Sequence, residues 1–387
     1  MIGPGCPFRT WNHSYSSDNI HSLGEWIDVL SQIIANQRLY NQRITGMKHV
    51  GPVEAVRELG AVQAQDYHQA VWGIGLRTQS AKISDVEQVV MDRKIVLTWP
   101  MRGTIFFVPA EDAKWMLKLT ASRLHTHDKK KQDELELDGE TLHQCSTIIG
   151  NALRGCSPVS RPRLMELLEE AGISTKNGRG YYILGYLGRT GMICFGPHEG
   201  KQQSFVLLDE WVPNSRELTL EESLAELALR YFTGHGPATV QDFAWWVGLT
   251  LTEAKRGCEA VKSDLRVDLV NGTEYWSPVT GTVASDDTDS VVLLPGFDEY
   301  YLGYKDRSAI IETEHDAKIA PHRNGVFQPM MVAGGEVVGV WKREIKRSGI
   351  EIALKPFSPL GDREEEFREA AKHYSDFMGL PITRIES

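Results

Sequence analysis

Two helical patterns followed by a two-stranded hairpin signal recur three times along this chain of 387 residues, an order that points to folds assembled from small helix-and-wing modules. In the first round, residues 52–59 and 70–76 carry apolar side chains at helical spacing and residues 83–90 add a short helix. Residues 95–100 and 104–108 then read as strands joined through Met101, Arg102 and Gly103. In the second round, helical residues 161–168 and 181–187 precede strands at 192–195 and 204–208. In the third, helices over 239–246 and 252–261, the latter capped by Thr250, precede strands over 265–269 and 274–276. Asn271-Gly272 between those strands is the strongest short turn signal in the sequence. The rounds share pattern rather than identity, so three winged-helix units stand against an unrelated series of helical domains.

The flanks differ in texture. Residues 1–20 are rich in Gly, Pro, Ser, Asn and His with little periodicity, and residues 1–33 are expected to form a poorly ordered or peripheral arm. Beyond Pro278, short β-prone runs at 290–295, 326–327, 330–332, 336–341 and 350–354 predict a small barrel or curled sheet, with Gly334-Gly335 closing its clearest hairpin. Residues 362–378 predict a charged helix that packs through Phe367, Ala371, Tyr374 and Met378.

With 41% hydrophobic and 24% charged residues, the chain can bury a core, and its length allows two to four domains. No run approaches the roughly 18 apolar residues of a membrane span. The N-terminus lacks a basic-then-apolar signal pattern, so a cytoplasmic location is expected. Cys6, Cys145, Cys156, Cys194 and Cys258 are scattered without a C-x-x-C pair, which argues against a disulfide framework and a zinc cage; no metal is expected. The net charge of −10 lowers the expectation of a nucleic-acid partner without deciding it, because binding depends on where cations cluster. Lys129-Lys130-Lys131, Arg161 with Arg163, and Lys342-Arg343 with Lys346-Arg347 are such clusters, although a solvated face accounts for any one of them.

The familiar signatures of nucleotide hydrolysis, serine hydrolysis, zinc proteolysis and dinucleotide binding are absent, and Gly73-Ile74-Gly75 is better explained by close helix packing. Asp298-Glu299 offers carboxylates at a strand end, which can act as general acid or base or can cap a turn and pair with Lys305 and Arg307. The other candidate is Gln63-Ala64-Gln65, a connector between two helical patterns. Asp66, with Gln69 three positions on, reads as the N-cap of the second helix with a reciprocal partner. In extended backbone, residues two apart point the same way, so two neutral amides can converge on one small target, or they can satisfy backbone groups between helices.

Val62-Gln63-Ala64-Gln65, Trp99-Pro100-Met101-Arg102-Gly103-Thr104, Gly236-Pro237-Ala238-Thr239, the stretch from Leu294-Pro295-Gly296-Phe297-Asp298-Glu299 to Arg307, and Gly339-Val340-Trp341-Lys342 occur in that order. Together, over roughly residues 34–360, they resemble the AlkZ/YcaQ family of winged-helix DNA glycosylases. The resemblance implies an α+β fold: three tandem winged-helix modules (34–120, 121–217, 218–278), a small β-barrel (279–360), and a C-terminal helix and tail (361–387), forming a C-shaped DNA clamp. It assigns catalysis to Gln63 and Gln65, since Gln63-Ala64-Gln65 matches the Gln-aliphatic-Gln motif of the AlkZ branch rather than the Gln-aliphatic-Asp motif of the YcaQ branch. Arg102, Lys129, Lys130, Lys131, Arg161, Arg163, Lys255 and Arg256 would then contact the phosphates of double-stranded DNA. The implied activity is monofunctional hydrolytic excision of cationic N7- or N3-alkylpurines, interstrand crosslinks included, by a monomer without metal or organic cofactor. The alternative is a winged-helix DNA-binding or regulatory protein that keeps the clamp without the reaction. The N-terminal arm and the acidic balance depart from the family pattern.

Overall fold

The computed structural model describes residues 23–197, 202–279, 290–321 and 325–387, so residues 1–22 of the expected N-terminal arm lie outside the described residues. The chain divides into two compact units. One holds the described residues up to Val62 with Asp66–Val86 and Ala225–Ser387; the other holds Gln63–Gln65 with Glu87–Leu224.

In the first unit, helix α1 (Leu23–Asn41) leads to α2 (Pro52–Leu59), which takes proline in its first turn, where the missing N–H costs nothing, and stops at Gly60 with φ 81°. The short strand β1 (Val62–Gln63) follows. Asp66 then caps α3 (Tyr67–Leu76) by accepting from the backbone N–H of Gln69. The expected reciprocal half of that cap is different: the Gln69 side chain instead accepts from the Gly296 N–H at 3.0 Å. Gly75 of α3 serves close approach, since a Cβ there would lie 2.1 Å from the Phe377 ring, whereas one at Gly73 would meet Pro295 only at an ordinary 3.4 Å. Lys48 lies between α1 and α2, half-buried, its ammonium donating to the carbonyls of Arg43 and Ile44. Burial, and secondly the Arg77 guanidinium, push its pKa down to about 7.

After α4 (Ile83–Met91), the second unit contains strands β2 (Ile95–Met101) and β3 (Thr104–Pro109), which form a sheet of order β1–β3–β2. Helices α5 (Ala113–Glu134) and α6 (Gly139–Leu153), strand β4 (Val159–Ser160), and helices α7 (Arg161–Glu170) and α8 (Arg179–Arg189) come next. Strands β5 (Ile193–Phe195) and β6 (Ser204–Leu207) pair antiparallel, and with β4 they form a second sheet of order β4–β6–β5. Trp99 joins the two sheets, its ring stacked on Phe195 at 4.4 Å and parallel to Phe205 at 6.5 Å. Gly188 of α8 passes so close that a Cβ there would come within 2.2 Å of the Trp99 ring.

Helices α9 (Leu208–Trp211) and α10 (Leu220–His235) lead back to the first unit. There α11 (Val240–Val247) and α12 (Leu251–Ala260) each carry a capping box, on Thr239 with Asp242 and on Thr250 with Glu253. The hairpin of β7 (Leu265–Val270) and β8 (Thr273–Pro278) turns through Asn271 and Gly272 at φ 49° and 79°, the positive pair the sequence predicts.

The expected barrel is not formed. Strands β9 (Val291–Leu294), β10 (Met330–Ala333), β11 (Glu336–Lys346), β12 (Gly349–Pro356) and β13 (Ile382–Glu386) make an open sheet in that order, with the short helices α13 (Glu299–Leu302) and α14 (Thr313–Ile319) between β9 and β10. The physical reason is the end of the chain. Helix α15 (Glu364–Met378) packs on β9 and buries Phe367, Ala371, Tyr374 and, rather than the expected Met378, Phe377; β13 then adds in parallel to β12, so β9 and β13 stay at opposite edges. The core beneath is built from Leu294, Tyr300, Tyr301, Ile310, Met330, Val332 and Val337.

Candidate active site

The β2–β3 hairpin is irregular where it matters. Thr98 pairs with Phe106 and Met101 with Thr104, so Trp99 and Pro100 together oppose Ile105, a bulge that accommodates a proline lacking a ladder donor. The Pro100 carbonyl is taken by the Thr120 hydroxyl of α5 at 2.6 Å, and Trp99 is locked by its aromatic neighbours. The turn that follows, Arg102-Gly103, is therefore held from below. Both of its residues have positive φ, 51° and 69°.

Against this hairpin lie the two glutamines. The Ala64 N–H donates to the Ile105 carbonyl at 2.8 Å, and the Ile105 N–H donates to Gln65 Oε1 at 3.1 Å, so the Gln65 side chain extends the ladder by one further bond. Gln63 Oε1 accepts from Arg102 Nη2 at 3.0 Å. Guanidinium and backbone N–H groups can only donate, so the atom facing each must be the amide oxygen, and both amide orientations are fixed by their partners. The surroundings differ: Gln63 retains 6% exposure, whereas Gln65 is exposed. The exposed Gln65 oxygen has a second lone pair, which a water could occupy.

Of the cations the sequence singles out, Arg102 is the one whose hydrogen bonds reach the glutamines. Lys129, Lys130 and Lys131 are exposed near the end of α5, with Lys131 paired to Glu134. Arg161 lies over the Tyr181 ring at 4.8 Å. Arg163 is claimed by two carboxylates, Glu166 at 3.1 Å and Glu170 at 2.9 Å; the Glu170 hydrogen bond and then that of Glu166 raise its pKa. Lys255 and Arg256 are exposed on α12 in the other unit.

Asp298 and Glu299 are structural, with partners other than those the sequence suggests. Asp298 receives Arg77 through two bonds of 2.9 and 2.8 Å and accepts from the Tyr300 N–H, while Glu299 accepts from the Trp246 indole at 2.8 Å. Both carboxylates are buried, at 3% and 1% exposure. Arg77 also donates to Gln42, which in turn donates to the Tyr304 hydroxyl, so a polar chain runs through the first unit. Sequence reasoning missed Arg77 because an arginine at the end of a helix ordinarily reads as a solvated cap. Among the described residues, the group whose ligand atoms could surround a metal is Glu312, Glu314 and His315, mostly exposed, with the imidazole nitrogens 3.5 and 3.3 Å from the two carboxylates.

Comparison with known proteins bears on the whole arrangement. The family model for DNA glycosylase AlkZ-like proteins matches residues 56–377, which span the glutamine connector, the β2–β3 hairpin and most of α15. An interstrand DNA cross-link repair glycosylase of Streptomyces sahachiroi is 26% identical over 310 residues, covering 75% of this chain and 81% of that protein. The solved structure of the Streptomyces sahachiroi DNA glycosylase AlkZ superposes with a TM-score of 0.75 at 21% identity, covering 92% of this chain and 99% of that one. With most of its length matched by the family model, the chain belongs to the AlkZ-like DNA glycosylase family.

Proposed function

We propose that this protein excises cationic N7- and N3-alkylpurines from double-stranded DNA, crosslinked ones included, by hydrolysis at Gln63 and Gln65. An alkylated purine of this kind already carries positive charge, so its glycosidic bond breaks without the leaving-group protonation a neutral base requires. A carboxylic acid is dispensable. What remains is to hold a water near the anomeric carbon as an oxocarbenium-like sugar develops, and positioning can supply a sizeable part of the barrier. The observation that carries the reading is the pair of amides two residues apart, each oxygen fixed by a donor of one hairpin. The name of the Streptomyces sahachiroi relative, an interstrand DNA cross-link repair glycosylase, supports the crosslink part of this reading. In the same reading, three winged-helix modules build a C-shaped clamp that engages DNA as a monomer in the cytoplasm, with Arg102, Lys129, Lys130, Lys131, Arg161, Arg163, Lys255 and Arg256 neutralising phosphates.

The low exposure of Gln63 and the engagement of both amide oxygens favour a second reading, a DNA-binding protein in which the glutamines only brace the hairpin. One experiment separates them. Purified protein is incubated with duplexes carrying a single N7-methylguanine or an N7-alkyl crosslink, and strand breaks are scored after alkali. Breaks at the lesion that disappear in the Gln63→Ala, Gln65→Ala double variant uphold excision, and lesions left intact by a well-folded, duplex-binding wild type leave the bracing role.

A further inference from the structure

We infer that Arg102 is a positioning residue that locks the Gln63 amide in one orientation and leaves Gln65 as the acceptor for a hydrogen of the attacking water. The inference rests on the glycosylase reading above and assigns unequal roles within its glutamine pair.

The first observation is conformational. Arg102 is the first of two central turn residues with positive φ, a geometry that favours Asn, Asp or Gly and that an arginine adopts only under strain. The chain shows what such a turn ordinarily uses: the β7–β8 hairpin makes it with Asn271-Gly272, at φ values similar to those of Arg102-Gly103. The turn alone therefore does not call for arginine. Strain held at one residue, on a strand anchored just before it by Trp99 against its aromatic partners and by Thr120 on Pro100, suggests that its side chain is what is being placed.

The second observation is chemical. Arg102 gives a charged donor to Gln63 Oε1, whereas Gln65 Oε1 receives a neutral backbone N–H. A cation on an amide oxygen draws electron density from it and weakens it as an acceptor for a second hydrogen. The oxygen of Gln65 keeps its basicity, and its residue is the more exposed of the two. As the water oxygen bonds to the anomeric carbon and the bond to the purine breaks, the bonding pair leaves with the base, which becomes neutral. The water's excess proton is drawn first along the hydrogen bond to Gln65 and then passes to solvent.

The test uses Arg102→Asn, which supplies the residue this turn prefers, so the hairpin should persist. Single-turnover excision of N7-methylguanine under saturating enzyme should slow by on the order of tenfold, the range typical of lost outer-shell support. The same substitution in a Gln63→Ala background should slow excision no further. A full rate in Arg102→Asn, or an equal slowing in both backgrounds, overturns the proposal. A second measurement is independent of turnover: the side-chain amide ¹⁵N–¹H signal of Gln63, identified by its loss in Gln63→Ala, should shift and exchange faster in Arg102→Asn. An unmoved signal in an active protein overturns the role of Arg102 alone, whereas a wild type that excises nothing overturns the glycosylase reading and this role with it.

Discussion

Gln65 is exposed and Gln63 is a small polar part of the core, so their replacement should act on chemistry before stability. Alanine at either position is expected to lower the single-turnover excision rate on the order of ~100-fold, the scale of removing one positioned polar group from a reacting centre. Duplex affinity should stay near wild type. Gln65→Asp restores an acceptor at the position argued to matter most, so part of the rate should survive; rate loss matched by a fall in melting temperature would point to bracing. Asp298 should behave in the opposite way. Asp298→Asn leaves the Arg77 guanidinium buried beside a neutral amide, and breaking a buried pair of this kind costs about 3–5 kcal/mol. Urea unfolding measures that loss, and the remaining folded protein should excise at the wild-type rate. The Gln-x-Gln spacing and the capping role of Asp298 were legible in the sequence. The Arg102–Gln63 and Arg77–Asp298 pairings were not, because they join residues 39 and 221 positions apart and depend on tertiary approach that no local pattern encodes.

Helix packing makes its own demands. Gly75→Ala sets a methyl where the Phe377 ring lies, forcing α3 from α15, and should cost about 1–3 kcal/mol as overpacking. Gly73→Ala meets only ordinary van der Waals approach to Pro295 and should cost less, which thermal denaturation of the two variants can compare. Lys48, which ties the carbonyls beyond α1, adds a pH dependence. Its folded pKa of about 7 lies below the ordinary 10.5, so between those values the unfolded chain holds the extra proton and stability rises with pH. The melting temperature of wild type relative to Lys48→Met should therefore climb from pH 7 toward pH 10, and a flat or falling difference would contradict the burial of that ammonium. Hairpin turns were readable in advance because Asn271-Gly272 and Gly334-Gly335 advertise positive φ. Closure of the last sheet was not. A run of strand patterns is the same for a barrel and an open sheet, and the strand that decides between them, Ile382–Glu386, pairs in parallel across a helical crossover.

On the scale of the whole molecule, a net charge of −10 must be overcome locally if the chain is to hold DNA. Affinity should then fall steeply with salt, and Lys129→Ala, Lys130→Ala, Lys131→Ala together should reduce the slope of log K against log salt by about 0.9 for each phosphate those lysines neutralise. Fluorescence anisotropy over a salt series reads this directly; an unchanged slope removes those lysines from the interface. Arg163→Ala should matter less, since Glu166 and Glu170 already compensate its charge. The division into two units also has a consequence for how the protein is made. Gln63–Gln65 belong with residues that end at Leu224, whereas the helices on either side of them wait for Ala225–Ser387. Because domains generally fold as units during synthesis, the ribosome should release the candidate catalytic unit into a folded state while the first helices it produced are still without partners. A chain stalled shortly after Leu224 has cleared the exit tunnel should then resist protease over 87–224 and be cut before Gln63, an order of assembly in which the unit begun first is finished last.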